Sequence, residues 1–405
     1  MVTKIVSTHN FKSFLWHAVF LTFAQSFMDV DTVIPAMLID SGGSSLHVGI
    51  MAAIMLGGSS FTQLFFAPYL SNKPYKKKFL LFGINLRVLS LFALGVILFY
   101  LKARHSGSVL WFIFLFITIF SLSGAFANIS YIDILGKSIN QERRKAFFST
   151  RQIIAGVVAV VSVFFAKKVL SLSEYPVNYA FMFFIGGTLL LLASGGFWAI
   201  KEETASVLKI KNAAGFLKVL KVELKENKRL AYFLGFINTQ GIAISLMPFI
   251  VLYAKHSFNI QSDETGVFLV HKIIGVVLVS AIVLITSKKI KYNFLLYFNT
   301  ILSVTLAIAA IFIHDEHLFR YLFVAGGIVY SVYSITMNGV LLEVSGQENR
   351  ALYAGFAGAG NILPAVFPLI GGWLIGQFGF KPFFLLFIIV VLTSLYFIKK
   401  IDCKK

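Results

Sequence analysis

A few of the ionisable and amide side chains that interrupt the long apolar stretches of this chain could do chemistry. Gln25, Asp29 and Asp31 stand in the first stretch, Arg87 in the third, Asp133 near the end of the fourth, Lys272 in the eighth and Glu343 in the tenth. A charge inside hydrocarbon costs about 2.5–3.5 kcal/mol on insertion scales, so it persists where it meets a partner, a wet interior or a moving proton. A carboxylate in such a place exchanges a proton as its surroundings change, which can couple a gradient to movement. On one continuous helix Gln25 and Asp29 share a face, whereas Asp29 and Asp31 differ by about 200° of rotation. The spacing therefore assigns Asp29 to the interior, keeps Asp31 as a second candidate nearer the outer surface, and sets Lys272 against Asp29 as a gating pair. Arg87 is expected to pair with Asp133 at the inner rim, and Glu343 to hold a similar structural charge.

Chemistry of other kinds is not encoded. No phosphate-cradling glycine loop, HExxH pair or nucleophile elbow is present. Of the eight histidines only His314 and His317 lie close together, and Cys403, the single cysteine, permits no disulfide or cysteine metal site within one chain. Neither an enzyme nor a cofactor nor a metal site is expected. Without an ATP-binding motif, any work the protein does must draw on a gradient.

The elements that position these groups are membrane helices. The chain has 405 residues, 58% hydrophobic and 13% charged, where a soluble domain carries about a quarter charged residues. The net charge of +19 is gathered in short clusters between apolar runs, which marks topology rather than a nucleic-acid surface. Windows of about 20 apolar residues predict twelve spans. Six lie at 13–38, 47–70, 78–101, 108–135, 147–170 and 178–200, and six at 229–254, 264–287, 292–313, 318–344, 351–377 and 379–398. The first, from Phe14 to Leu38, is too long for the core of a cleaved leader. Alternating the spans puts 27 Lys and Arg residues on one side and 7 on the other, which predicts both termini in the cytoplasm. The reading is a multi-pass protein of the plasma (bacterial inner) membrane, monomeric, with lipid as its solvent.

Between Lys201 and Lys228, Phe216, Leu217, Leu220 and Leu224 recur at helical spacing among Lys218, Lys221, Lys225 and Lys228. That pattern predicts an amphipathic helix on the cytoplasmic membrane face, or a solvated linker helix. It separates an N-terminal bundle of six helices (1–200) from a C-terminal bundle of six (229–405), with residues 201–228 as linker. Gln141-Glu142-Arg143-Arg144 recurs 206 residues later as Gln347-Glu348-Asn349-Arg350, in the equivalent loop of the second half. Parallel repeats of this kind mark transporter folds with a site at the repeat interface.

The whole chain resembles the major facilitator superfamily: six helices, a long basic cytoplasmic loop, six helices. The stretch Arg143-Arg144-Lys145-Ala146-Phe147-Phe148-Ser149-Thr150-Arg151, entering the fifth helix, is similar to that of many members. In the second–third loop, Pro68-Tyr69-Leu70-Ser71-Asn72-Lys73-Pro74-Tyr75-Lys76-Lys77 keeps the basic residues of the superfamily signature. Asn72 stands where the signature has an acid, and both signature glycines are missing. The Arg and Gly-Pro features of proton-linked drug exporters are absent from Trp111–Asp133 and from the helix holding Ala155-Gly156.

The resemblance implies an all-α membrane fold, two pseudo-symmetric six-helix bundles, and a central cavity lined by the first, fourth, seventh and tenth helices. Polar positions there are Asn128, Tyr131, Asn238, Thr239, Gln240, Tyr330, Tyr333 and Asn338, beside Gln25, Asp29, Asp31 and Lys272. Lys73, Arg87, Asp133, Arg144, Glu343 and Arg350 are the gating or structural charges. The expected function is secondary active transport of a small solute by alternating access, coupled to protons. Alternatives are an uncoupled facilitative transporter and a non-transporting sensor or assembly factor. One interior acid points to a cation, or to a neutral solute carried with a proton. The lack of an Arg pair at those positions points away from phosphate esters and dicarboxylates.

Overall fold

A computed structural model describes residues 3–101, 107–203, 205, 213–286, 290–345, 350–401 and 403. Helix occupies all twelve expected positions, and no strand occurs among the described residues. The first position is shared by α1 (Lys4–Gln25) and α2 (Val33–Asp40). Single helices follow: α3 (Ser45–Ser71), α4 (Lys77–Leu101), α5 (Gly107–Ser138), α6 (Gln141–Leu170) and α7 (Val177–Ala199). The linker carries α8 (Ala213–Glu226). The seventh position is α9 (Lys228–Gln240), a 3-10 turn (Gly241–Ser245) and α10 (Leu246–Phe258). Then come α11 (Thr265–Thr286), α12 (Tyr292–Phe312), α13 (Glu316–Phe319) with α14 (Tyr321–Ser345), α15 (Arg350–Gly360) with α16 (Leu363–Phe378), and α17 (Phe380–Ile401). Among the described residues ten helices are long and apolar enough to cross a membrane.

Three of the twelve positions are broken close to a proline, and the ring accounts for each break. A proline ring clashes with the carbonyl four residues earlier and offers no N–H to it. Pro35 so disfavours helix through Asp31, and α1 stops at Gln25 while α2 starts at Val33. Pro248 acts on Ile244, and Gly241–Ser245 tightens into the 3-10 turn. Pro364 acts on Gly360, the last residue of α15, and sits in the first turn of α16, where a missing N–H costs nothing.

The chain forms two compact units, one of Met1–Asp29 with Phe61–Phe216 and one of Val30–Ser60 with Leu217–Lys405. In the first, α4 packs between α5 and α7, and α1 lies against α6 and α7. In the second, α9 packs on α17, α12 on α14 and α17, and α2 on α10 and α11. α11 and α14 meet backbone to backbone. A methyl group at Gly275 would collide with the Val324 carbonyl, and one at Gly327 with the Lys272 carbonyl. Close approach through glycine is how helices gain contact where lipid gives no hydrophobic drive to associate.

The linker is helical where its periodic pattern places a helix, at α8. The exposed surface of α8 mixes Val219 and Val222 with Lys218, Lys221 and Lys225. Beside its C-terminus, the Tyr353 hydroxyl donates to Glu223 Oε2 at 2.7 Å and accepts from Asn227 Nδ2 at 3.0 Å.

Candidate functional site: charged and amide groups at broken helices

Within the second unit, Lys272 Nζ lies 2.5 Å from Asp31 Oδ2. Both side chains are buried, at 5% and 7% exposure. The ammonium also sits 5.4 Å from the centre of the Tyr330 ring. The sequence reading sets Lys272 against Asp29; within this unit the carboxylate beside the ammonium is that of Asp31. The rotation that separates Asp29 from Asp31 holds only on a continuous helix, and residues 26–32 are not helical. Asp29 is partly exposed, and Gln25, at the end of α1, is exposed. A second pair lies in the same unit: Lys255 Nζ is 2.7 Å from Asp40 Oδ1 and 3.0 Å from Oδ2. Asp40 ends α2, and its role is not legible in the sequence because nothing there links it to residue 255.

The seventh and eleventh positions break side by side, and Asn238, on the helix that leads into the first break, serves the second. Its Nδ2 donates to the Gly360 carbonyl at 2.7 Å, the group that Pro364 leaves without a helical donor. Its Oδ1 accepts from the N–H groups of Ile362 (3.0 Å) and Leu363 (2.8 Å), which open α16. One carboxamide thus satisfies three backbone groups that the break exposes. Gln240 is also structural. It is fully buried, donates to Ser303 Oγ at 3.2 Å, and accepts from Thr300 Oγ1 at 3.0 Å and Ser394 Oγ at 3.3 Å. These bonds tie α9 to α12 and α17, so Gln240 is turned away from any open lining. Thr239 bonds back to the Gly235 carbonyl of its own helix at 2.9 Å. Asn338 does the same to Ser334 at 2.8 Å while remaining exposed.

Tyr333 is buried, and its hydroxyl has no hydrogen-bond partner. A Cβ on Gly241 would lie 2.9 Å from that hydroxyl, 2.8 Å from Pro364 Cγ and 3.4 Å from Asn361 Oδ1. Asn361 Oδ1 likewise lacks a partner. Glycine at 241 therefore lets both breaks and two unsatisfied polar atoms converge at one point. The sequence singles out Tyr333 but not Asn361, whose proximity depends on the break itself.

In the first unit the expected Arg87–Asp133 pair does not form. Asp133 binds Lys76 Nζ at 2.8 Å and Lys137 Nζ at 3.0 Å. Asp133 lies five residues from the end of α5 and Arg87 ten from the start of α4, so they differ in depth by about 7 Å at 1.5 Å per residue. Glu202 completes this cluster. It accepts from the backbone N–H groups of Lys76 and Lys77, each at 2.7 Å, and pairs with Lys137 at 2.8 Å. A carboxylate thus caps α4 and neutralises the loop in which Asn72 replaces the signature acid. Replacing Glu202 with Gln should cost about 2 kcal/mol, the worth of hydrogen bonds to a charged group, read as a lower thermal midpoint in detergent.

The remaining candidates scatter. Lys73 Nζ sits 5.0 Å from the Tyr69 ring centre, and Asn128 is exposed on α5. Tyr131 packs edge-on to Phe14 at 5.5 Å and lies 6.1 Å from His17. Glu343 Oε1 receives Arg229 Nη2 at 3.1 Å, tying α14 to α9. The side chains of Arg144 and Arg350, and the repeat copy Gln347–Asn349, lie outside the described residues. Among the described residues no group of three His, Cys, Asp or Glu could hold a metal.

An all-helical membrane bundle with broken helices and buried charge at the breaks defines a solute transporter rather than an enzyme. The sequence model of the Major Facilitator Superfamily matches residues 15–361, and the chain belongs to that superfamily. No curated protein matches it in sequence. Its fold is similar to that of a point mutant of the nucleoside transporter NupG, with a TM-score of 0.71 at 13% identity over 97% of this chain and 100% of that one. A bacterial homolog of the human lysosomal transporter Spinster, inward-facing and unoccupied, gives 0.68 at 11% identity over 98% and 97%. A POT family transporter in complex with a thioalcohol-conjugated peptide gives 0.68 at 14% over 97% and 96%.

Proposed function

We propose that the protein is a secondary active transporter that moves a small solute by alternating access and couples it to protons at the α1–α2 break. The observation that supports this is the buried Asp31–Lys272 pair. The linear order places residues 30–60 with the first six helices, yet they pack with residues 217–405. A transport cycle that opens this region must separate Asp31 from Lys272, and a buried pair separates readily only when its carboxylate gains a proton or its cation gains another anion. Asp29, two residues away and partly exposed, is the proton entry point. The 27-to-7 distribution of basic residues supports cytoplasmic termini in a plasma membrane.

Proteoliposomes screened over solute classes, with and without a pH gradient, test this reading. Once a solute is found, Asp29→Asn should lower gradient-driven accumulation about tenfold or more while solute exchange at equal pH persists. Accumulation that survives in Asp29→Asn removes the proton assignment. Equal flux with and without any ion gradient would instead establish facilitated diffusion.

A further inference from the structure

The first unit holds a second constellation that the proton reading does not use. Arg87 on α4 is partly exposed, and its guanidinium carbon lies 4.2 Å from the centre of the Phe120 ring. Its Nε is buried with no hydrogen-bond partner, against Gly124, where a Cβ would lie 3.2 Å away. Glycine at 124 makes room for the guanidinium on the face of α5 that runs through residues 120, 124, 127 and 131. Arg151 on α6 is also partly exposed. Among the described residues neither arginine has an ion pair, and Asp133 and Glu202 are engaged by Lys76 and Lys137. Each arginine stands ten residues inside its helix, about 15 Å along the axis.

α1 and α6 run side by side through Thr8–Arg143, Phe14–Phe147 and Ser26–Ser162, which brings Arg151 level with His17, and Tyr131 shares with Gly124 the face of α5 on which Arg87 lies. His17 stacks on Phe197 at 3.7 Å and donates through Nδ1 to the Ala193 carbonyl at 3.1 Å, which leaves Nε2 as an acceptor for a donor group on the solute. Phe14, Phe120 and Phe197 supply apolar surface among these polar tips. Two cations about 15 Å along their helices, with no ion pair among the described residues, would suit an anion, and guanidinium forks fit carboxylate and phosphate.

We propose that Arg87 and Arg151, with His17 and Tyr131, recognise a small solute bearing a carboxylate or phosphate, its apolar part against the phenylalanines. This names the substrate class and rests on the transporter reading above. It also departs from the sequence-based preference for a cation or a neutral solute carried with a proton, which rests on one interior acid and the lack of an Arg pair among the lining positions.

The test uses the full chain in detergent and in proteoliposomes, with succinate, inorganic phosphate and glycerol 3-phosphate as probes against chloride at equal ionic strength. At least one probe should raise the thermal midpoint with saturable dependence. Arg87→Gln and Arg151→Gln should each weaken that dependence at least tenfold, and Arg87→Lys less than Arg87→Gln. Arg151, on a partly exposed helix face, keeps the test decisive if Arg87→Gln fails to fold. No response to any probe, or a response unchanged in both Gln variants, overturns the anion proposal. Gradient-driven uptake of a neutral or cationic solute together with that result would leave the transporter reading standing. Arginine-dependent anion binding with no flux of any solute would do the reverse.

Discussion

Asn238→Leu should lose at least about 3 kcal/mol of stability and abolish transport. The side chain satisfies one carbonyl and two N–H groups at the α15–α16 break, at 2.7–3.0 Å. Each buried backbone group left unpaired costs about 1–3 kcal/mol, and the Ile362 end of the break is exposed enough for water to relieve part of that. The thermal midpoint should fall by roughly 5 °C or more. The cause is separable from simple mispacking. Pro364→Ala restores an N–H that can bond the Gly360 carbonyl and lets α15 run on into α16. The double variant Asn238→Leu with Pro364→Ala should therefore recover stability relative to Asn238→Leu alone. If Pro364→Ala adds its own loss instead, Asn238 does not act by capping the break.

The second large effect concerns Lys272. Lys272→Met leaves the Asp31 carboxylate buried beside Tyr330 without its cation, and breaking a buried pair from one side costs about 3–5 kcal/mol. Asp31→Asn with Lys272→Met removes both charges and should return most of that loss, because an isosteric uncharged pair needs no desolvation of ions. The double variant should nevertheless fail to accumulate solute against a gradient, since the contact no longer responds to a proton or a competing anion. A double-mutant cycle on thermal midpoints measures the coupling. Additive losses in that cycle, with no recovery in the double variant, would falsify the pairing as an energetic unit.

Much of the scaffold is legible in the sequence. Spans such as 178–200 and 292–313 match α7 and α12 within one residue at each end, because their apolar runs end at turn-forming or charged residues. The periodic Leu and Lys of 216–228 announce α8. The candidate site is legible in composition but not in pairing. Asp31, Lys272 and Tyr333 stand out as pathway residues, yet spacing favours Asp29 over Asp31 only while the helix is taken as unbroken despite Pro35. Gln240 and Asn238 look like lining amides. Their true partners, Ser303, Thr300, Ser394 and the backbone at Gly360–Leu363, lie 60 to 154 residues away. A single sequence carries no mark of such distances. Glu202 escapes a sequence reading for a related reason: it follows the sixth span and replaces in space what Asn72 lacks in the loop.

The bare backbone contact of α11 with α14 has a mechanical consequence. With no side chains between Gly275 and Val324, or between Gly327 and Lys272, the two helices have no cushion that could shear or change rotamer. They form one stiff lever, and Lys272 and Tyr330 ride on it together. In the proposed cycle, an event that pulls the ammonium off Asp31 would carry the aromatic ring along, and a local loss of charge would move two helices rather than one side chain.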